Sequence, residues 1–258
     1  MSGLLRSEWI KLTTVRTTWW LAVALVGLML LSTLLPLLVS PTGTPPPVDD
    51  PTLQIAVLHA GSQAGTFAVI LGIIGAAGEY RQSMITSTLL ATPRRGEVVA
   101  GKSLVYGFAG LLLGVLAFAV AAIVLAAVAG PASLGIPAGD VARVVGGGLA
   151  FCLLSGVLGV GLGFLIRSQV GALSVALVLV LVAEPIVQAF APGVGRWLMG
   201  VSGQALAGVE ATVRVVPADA QAPTVRYLSQ GVGGAVFLGY VALASAIGSW
   251  RLRRQDVG

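Results

Sequence analysis

The chain has 258 residues, of which 56% are apolar and only 10% charged, and its mean hydropathy is +0.95. An ordinary soluble domain carries about 25% charged residues, so a water-facing surface cannot be assembled from this composition. A soluble fold is excluded and an all-α integral membrane protein is expected. The net charge of +5 matters through where its members lie, and no nucleic-acid partner is expected.

In chain order, residues 1–17 come first. The stretch "LLRSEWIKLTTVRTTWW" puts Leu5, Trp9, Leu12 and Trp19 close to one helical face, with Arg6, Thr13 and Thr17 on another. Such a helix lies in the membrane interface, with Trp9 and Trp19 at headgroup depth and Lys11 and Arg16 toward phosphates. A plain basic tail is the alternative.

A spanning helix needs roughly 20 mainly apolar residues. Six stretches qualify, at approximately 18–39, 56–78, 103–129, 143–166, 170–191 and 231–250. The first has too long a basic leader and too long an apolar run for a cleaved signal, so a retained helix is expected. The proline-rich "SPTGTPPPVDDPT" after it cannot be helical. The second is the weakest, because it contains His59, Ser62, Gln63 and Thr66.

Eleven Lys and Arg fall on one side of these spans: Arg6, Lys11, Arg16, Arg81, Arg94, Arg95, Lys102, Arg167, Arg251, Arg253 and Arg254. Four fall on the other: Arg143, Arg196, Arg214 and Arg226. The positive-inside rule then places both termini in the cytoplasm, and an even number of spans agrees.

Between spans two and three runs "GEYRQSMITSTLLATPRRGEVVAGK", about 25 residues and long for a simple turn. Glu79, Arg81, Arg94, Arg95 and Glu97 are interleaved there with Met84, Ile85, Leu89 and Leu90. That mixture suits a short amphipathic helix docked on a cytoplasmic partner, apolar groups filling a groove and charges fixing register. Simple positive-inside anchoring also accounts for Arg94, Arg95 and Lys102.

Residues 96–103, "GEVVAGKS", fit the GxxxxGK(S/T) phosphate-loop pattern. The context does not. A phosphate loop follows a buried strand, and its glycine-rich turn aims free N–H groups at the anion. Here Thr92 and Pro93 suit a helix start, and the helix is expected to run from residue 94 through 102 into span three. Amides bonded along a helix cannot cradle phosphate.

The lone Cys152 reads as a buried small residue, and the lone His59 has no partners at ligand spacing. Zinc sites need three or four ligands, so no metal is expected. Glu184, in "VLVAEPIVQ", is the one acid deep in a span. A carboxylate there marks function by default, and Pro185 after it favours a kink. Glu184 is a candidate for gating; closeness to the outer interface is the alternative. Glycines at close-packing spacing (Gly72, Gly75 and Gly78; Gly107, Gly110 and Gly114; Gly159 and Gly163) suit an assembled bundle. The stretch 192–230 is too broken to span. A re-entrant hairpin or cap at the outer leaflet is expected, with a plain loop as the alternative.

Together these segments resemble the membrane subunit of type-2 ABC transporters, the permease paired with a separate ATPase, over nearly the full length. "SEWIKLTTVRTTWW" is similar to the family's N-terminal interfacial helix. "GEYRQSMITSTLLATPRRGEVVAGK" is similar to its first cytoplasmic loop, with an E-x-R element, a threonine-rich stretch, a P-x-R element and a Lys at the next span. "RWLMGVSGQALAGV" resembles its extracellular re-entrant region, and "RLRRQDV" its basic end.

The resemblance implies a single permease domain over 1–258, with six spans, both termini inside and an interfacial helix over 1–17. It implies a coupling helix between spans two and three, and a re-entrant segment before span six. No cofactor is then bound by this chain and no catalysis is its own. ATP and Mg would sit in two copies of an ATPase partner, and two permeases would pair as a homodimer or heterodimer. The expected setting is the bacterial inner or plasma membrane, and the expected cargo a hydrophobic or amphipathic drug, lipid or peptide, exported. A secondary transporter is the alternative, though such proteins carry several intramembrane charges and repeat-related broken helices. An intramembrane enzyme has no supporting signature beyond His59.

Overall fold

A chain that cannot lend its backbone to water must satisfy it internally, and helices do so within each segment. The computed structural model describes residues 2–38, 51–81, 95–130, 135–209 and 228–253, and among them there is no strand. The elements are α1 (Ser2–Thr14), α2 (Arg16–Leu38), α3 (Pro51–His59), a 3-10 turn (Ala60–Gln63), α4 (Ala64–Arg81), α5 (Arg95–Ala129), α6 (Ala138–Ile166) and α7 (Gln169–Val178). A π-helical turn (Leu179–Ala183), α8 (Glu184–Phe190), α9 (Pro192–Gly195), α10 (Met199–Leu206) and α11 (Gln230–Arg253) complete them.

Six helical stretches are long and apolar enough to cross a membrane: Arg16–Leu35, Leu53–Tyr80, Gly96–Val128, Ala138–Ile166, Gln169–Phe190 and Gln230–Leu252. Each overlaps one expected span. As expected, "GEVVAGKS" lies inside α5 without a break, and the apolar helical stretch accordingly opens at Gly96 rather than near residue 103. The chain is a multi-pass membrane protein by this architecture.

Two spans are not regular. Span two changes to a 3-10 turn at Ala60–Gln63, where Ser62 and Gln63 dilute its apolar run. Span five loosens into the π turn just before Pro185, and the Glu184 N–H reaches back to the Leu179 carbonyl. Proline has no N–H to give and its ring crowds the carbonyl four residues earlier, so the ladder must slip there.

Helix α6 is central and packs against α4, α5 and α11. Its crossing with α4 is a backbone-to-backbone contact. A Cβ on Gly72 would meet the Gly156 carbonyl and the Val160 amide, and a Cβ on Gly159 would meet the Val69 carbonyl. Gly78 differs from its expected role in this seam, since a Cβ there meets nothing within 4 Å. It lies on the same helix but turned off the crossing. Helix α2 and span five stand at the periphery, where Trp20, Val23, Leu31, Val175, Leu181 and Phe190 are exposed. Apolar side chains facing outward are what a lipid solvent accepts.

The α4–α6 crossing gives a paired expectation. Gly72→Ala forces backbones apart and lowers stability by about 1–3 kcal/mol, whereas Gly78→Ala stays within about 0.5 kcal/mol. Unfolding midpoints of the two purified variants in the same detergent read the difference.

Candidate functional site

One end of the bundle gathers α1, the end of α4, the starts of α2, α5 and α7, and the ends of α6 and α11. Contacts between these termini define it. Tyr80 meets Phe164 edge-on, with ring centroids 6.4 Å apart. The Arg167 guanidinium donates to the Arg251 carbonyl at 2.7 Å, and the Arg251 guanidinium to the Leu165 carbonyl at 2.6 Å. Arg167 closes α6 in the left-handed conformation at φ 59°, a position glycine usually takes. Both arginines thereby serve carbonyls that a helix C-terminus leaves without partners.

At the same end lies a four-residue ionic cluster. Lys102 Nζ stands 2.6 Å from Glu8 Oε2 and 2.9 Å from Glu79 Oε1. Lys11 Nζ stands 2.8 Å from Glu8 Oε1 and 2.9 Å from the same Glu79 oxygen. Lys102 Nζ also donates to the Gly75 carbonyl at 3.1 Å. The side chains of Lys102 and Glu8 are both 0% exposed. Among the described residues, two cations and two anions make the cluster neutral, which is the condition under which such burial is tolerable. Burial alone would raise the Glu8 carboxyl; the Lys102 ammonium, with Lys11 adding to it, holds it below its ordinary value. Burial likewise opposes charge on Lys11, and its bonds to Glu8 and Glu79 hold its ammonium above the ordinary value.

The cluster decides the setting of α1. Its buried face is led by Glu8 and Leu12, and a Cβ on Gly101 would strike Leu4. Trp9 lies half-exposed against Phe108, ring centroids 5.8 Å apart. Trp19 is exposed and its indole N–H donates to the Thr13 carbonyl at 3.0 Å, bridging the joint between α1 and α2. Arg16 is exposed at the start of α2.

The expected coupling residues fall differently. Glu79 is buried and its charge is committed to Lys11 and Lys102. Glu97 is half-buried in the first turn of α5. Arg81 ends α4 and Arg95 begins α5. Met84, Leu89, Leu90 and Arg94 lie outside the described residues. Lys102, which the sequence suggests as a membrane-edge anchor, instead has its ammonium inside protein, bound to Glu8, Glu79 and the Gly75 carbonyl. Glu8 is the member of the cluster that the sequence pattern does not single out. Its partner Lys102 is 94 residues away, and only the oddity of an acid inside a basic segment hinted at it.

At the opposite end the chain folds back on itself. After α8 it turns through α9 until Gly200 lies against Glu184, and α10 then returns between α6 and α11. Glu184 is 3% exposed. Its Oε1 accepts from the Gly200 N–H at 2.7 Å, and the Val201 N–H also donates to the carboxylate. Glu184 is therefore the missing cap of α10, a negative charge at a helix N-terminus that has no side-chain cap of its own. Since Glu184 is six residues before the end of α8, the fold-back runs about 9 Å back along that helix. Gln230 ties the returning helix down, its amide donating to Leu206 and Arg143 carbonyls at 2.9 and 3.0 Å.

Removing one member of the ionic cluster leaves buried charge uncompensated. Lys102→Met is expected to destabilise the protein by about 3–5 kcal/mol, and Glu8→Gln with Lys102→Met by less than the two single losses summed. Chemical unfolding of the four proteins measures the cycle. For the fold-back, Glu184→Leu strands two N–H groups and costs about 1–3 kcal/mol, while Glu184→Gln keeps an acceptor oxygen and costs less. Equal losses for the two Glu184 variants would show that charge, not the acceptor, matters.

Compared with known proteins, the sequence matches no family model and no curated protein.

Proposed function

We propose that this chain is the permease subunit of a type-2 ABC transporter, a lipid-embedded conduit that takes force from a separate ATPase. The observation that carries the reading is the ionic cluster. It joins α1 to the end of α4 and the start of α5, the two helices that bracket residues 82–94. A push delivered to that segment would reach α1 and spans two and three together. Work is transmitted only if the segment binds its partner differently in two states, and a rigid mount is what lets such a difference move helices.

The distribution of charge supports the orientation. Among the described residues, Arg6, Lys11, Arg16, Arg81, Arg95, Lys102, Arg167, Arg251 and Arg253 stand at the α1 end, against Arg143 and Arg196 toward the other. By the positive-inside rule the α1 end faces the cytoplasm. α1 then lies in the inner interface, and the fold-back enters the outer leaflet as a re-entrant segment in which α10 is covered by α6 and α11, while Val194 and Trp197 before it are exposed. In this reading two ATPase subunits bind ATP and Mg, two permeases pair, and a hydrophobic or amphipathic compound is exported across a bacterial plasma membrane.

Co-purification tests it. The chain is expected to retain a Walker-type ATPase on affinity purification, and charge reversal of Arg94 and Arg95 to release it. Arg94→Cys in the full chain is expected to react with a membrane-impermeant maleimide only from the cytoplasmic side, since the native Cys152 is buried. Tight ATP binding by the purified chain alone, or labelling of Arg94→Cys from outside, overturns the proposal.

A further inference from the structure

A cavity of ≈ 60 Å³ lies between α4, α6, span five at its π turn, α10 and α11. Its walls are largely apolar, with Val69, Phe151, Leu158, Val180, Met199 and Phe237 among them. Three polar residues share the lining: Thr66, Ser155 and Gln204. Thr66 is exposed and Val180 half-buried, so the lining is not wholly enclosed on the side of spans two and five.

Ser155 is the telling residue. It is 0% exposed and its Oγ has no hydrogen-bond partner. A helical serine ordinarily turns its hydroxyl back to the preceding turn. A buried hydroxyl left unpaired is unfavourable, and each such group asks for an explanation. Gln204 adds an amide, its Oε1 3.5 Å from Ser62 Oγ. No charged side chain lines the cavity among the described residues, so an ion has nothing to neutralise it there. The volume accepts the end of a molecule rather than the whole of a drug-sized one, for which pockets run to about 300–1,000 Å³.

We infer that this cavity binds the hydroxyl-bearing end of a neutral, membrane-dissolved alcohol, with Ser155 and Gln204 hydrogen-bonding the hydroxyl and the apolar wall holding the adjoining carbons. The neighbouring architecture serves the site. Gly200 lines it and is held by Glu184, so the cap on α10 also fixes one wall. The π turn bows span five where Val180 meets the cavity, and π turns concentrate at functional positions. The inference does not rest on the ATPase reading, because binding needs neither ATP nor a partner subunit.

The test uses the full chain in lipid nanodiscs without ATPase, photolabelled with a diazirine-bearing octanol and, in parallel, with a diazirine alkane lacking the hydroxyl. Adducts of the alcohol are expected on Val69, Phe151 or Met199, saturating with concentration. Ser155→Ala is expected to raise the half-saturating concentration about fivefold and to unfold no earlier than wild type, since it removes an unpaired group. Val69→Trp, which fills the space, is expected to abolish saturable labelling. The alkane is expected to label the cavity at least fivefold more weakly. Non-saturating labelling spread over outward residues such as Leu181 and Phe190 overturns the inference. So does labelling that neither Ser155→Ala nor Val69→Trp changes, the result for a cavity that holds only water.

Discussion

A lysine ammonium shut away from solvent beside two carboxylates is the fixed point of this molecule. Lys102 opens no path to water and has no lipid headgroup to reach for. Its charge is tolerable only while Glu8 and Glu79 stand within hydrogen-bond distance, and Glu8 is tolerable only while α1 lies against α5. Each charge in the cluster thus requires the placement of an element distant in sequence. Replacing such a group by apolar residues often costs little, whereas leaving one partner alone costs much. The cluster is therefore felt chiefly when one of its members is taken away. It sets where α1 docks, and the ends of α4 and α5 are held in the same grip.

The two ends of the bundle are built on different principles. At the α1 end, side chains with full charges bind helix termini to each other, and the helices arriving there are regular. At the other end, regularity is given up. Span two narrows to a 3-10 turn, span five loosens to a π turn, and the chain after α8 dips back beside its own span. Irregular backbone must have its polar groups satisfied within the protein: Glu184 accepts from Gly200 and Val201, Gln230 donates to the Leu206 carbonyl, and the outward-facing π turn closes its own ladder through the Glu184 N–H.

Much of this was legible beforehand. Six spans emerge from hydropathy because exclusion from water acts on every residue independently, and adding it along the chain needs no knowledge of partners. The weak place in span two was also visible, since Ser62 and Gln63 reduce the apolar run at the turn where the helix changes type. The helical nature of "GEVVAGKS" followed from its lack of strand and glycine context. Glu184 stands out in the sequence as an acid among apolar residues, but its role as the cap of α10 depends on Gly200 being folded back beside it. Gly78 looked equivalent to Gly72, because spacing gives the face of a helix only approximately and the crossing point not at all.

Hydrophobicity, charge asymmetry and proline placement, all local properties, decided that the chain is helical, how many times it is long enough to cross, and which ends share an excess of positive charge. The pairing of Glu8 with Lys102, the burial of Glu79, the capping of α10 by Glu184 and the cavity beneath the π turn were decided by packing. Each depends on atoms far apart in sequence meeting within about 3 Å, and a one-dimensional pattern does not record that distance.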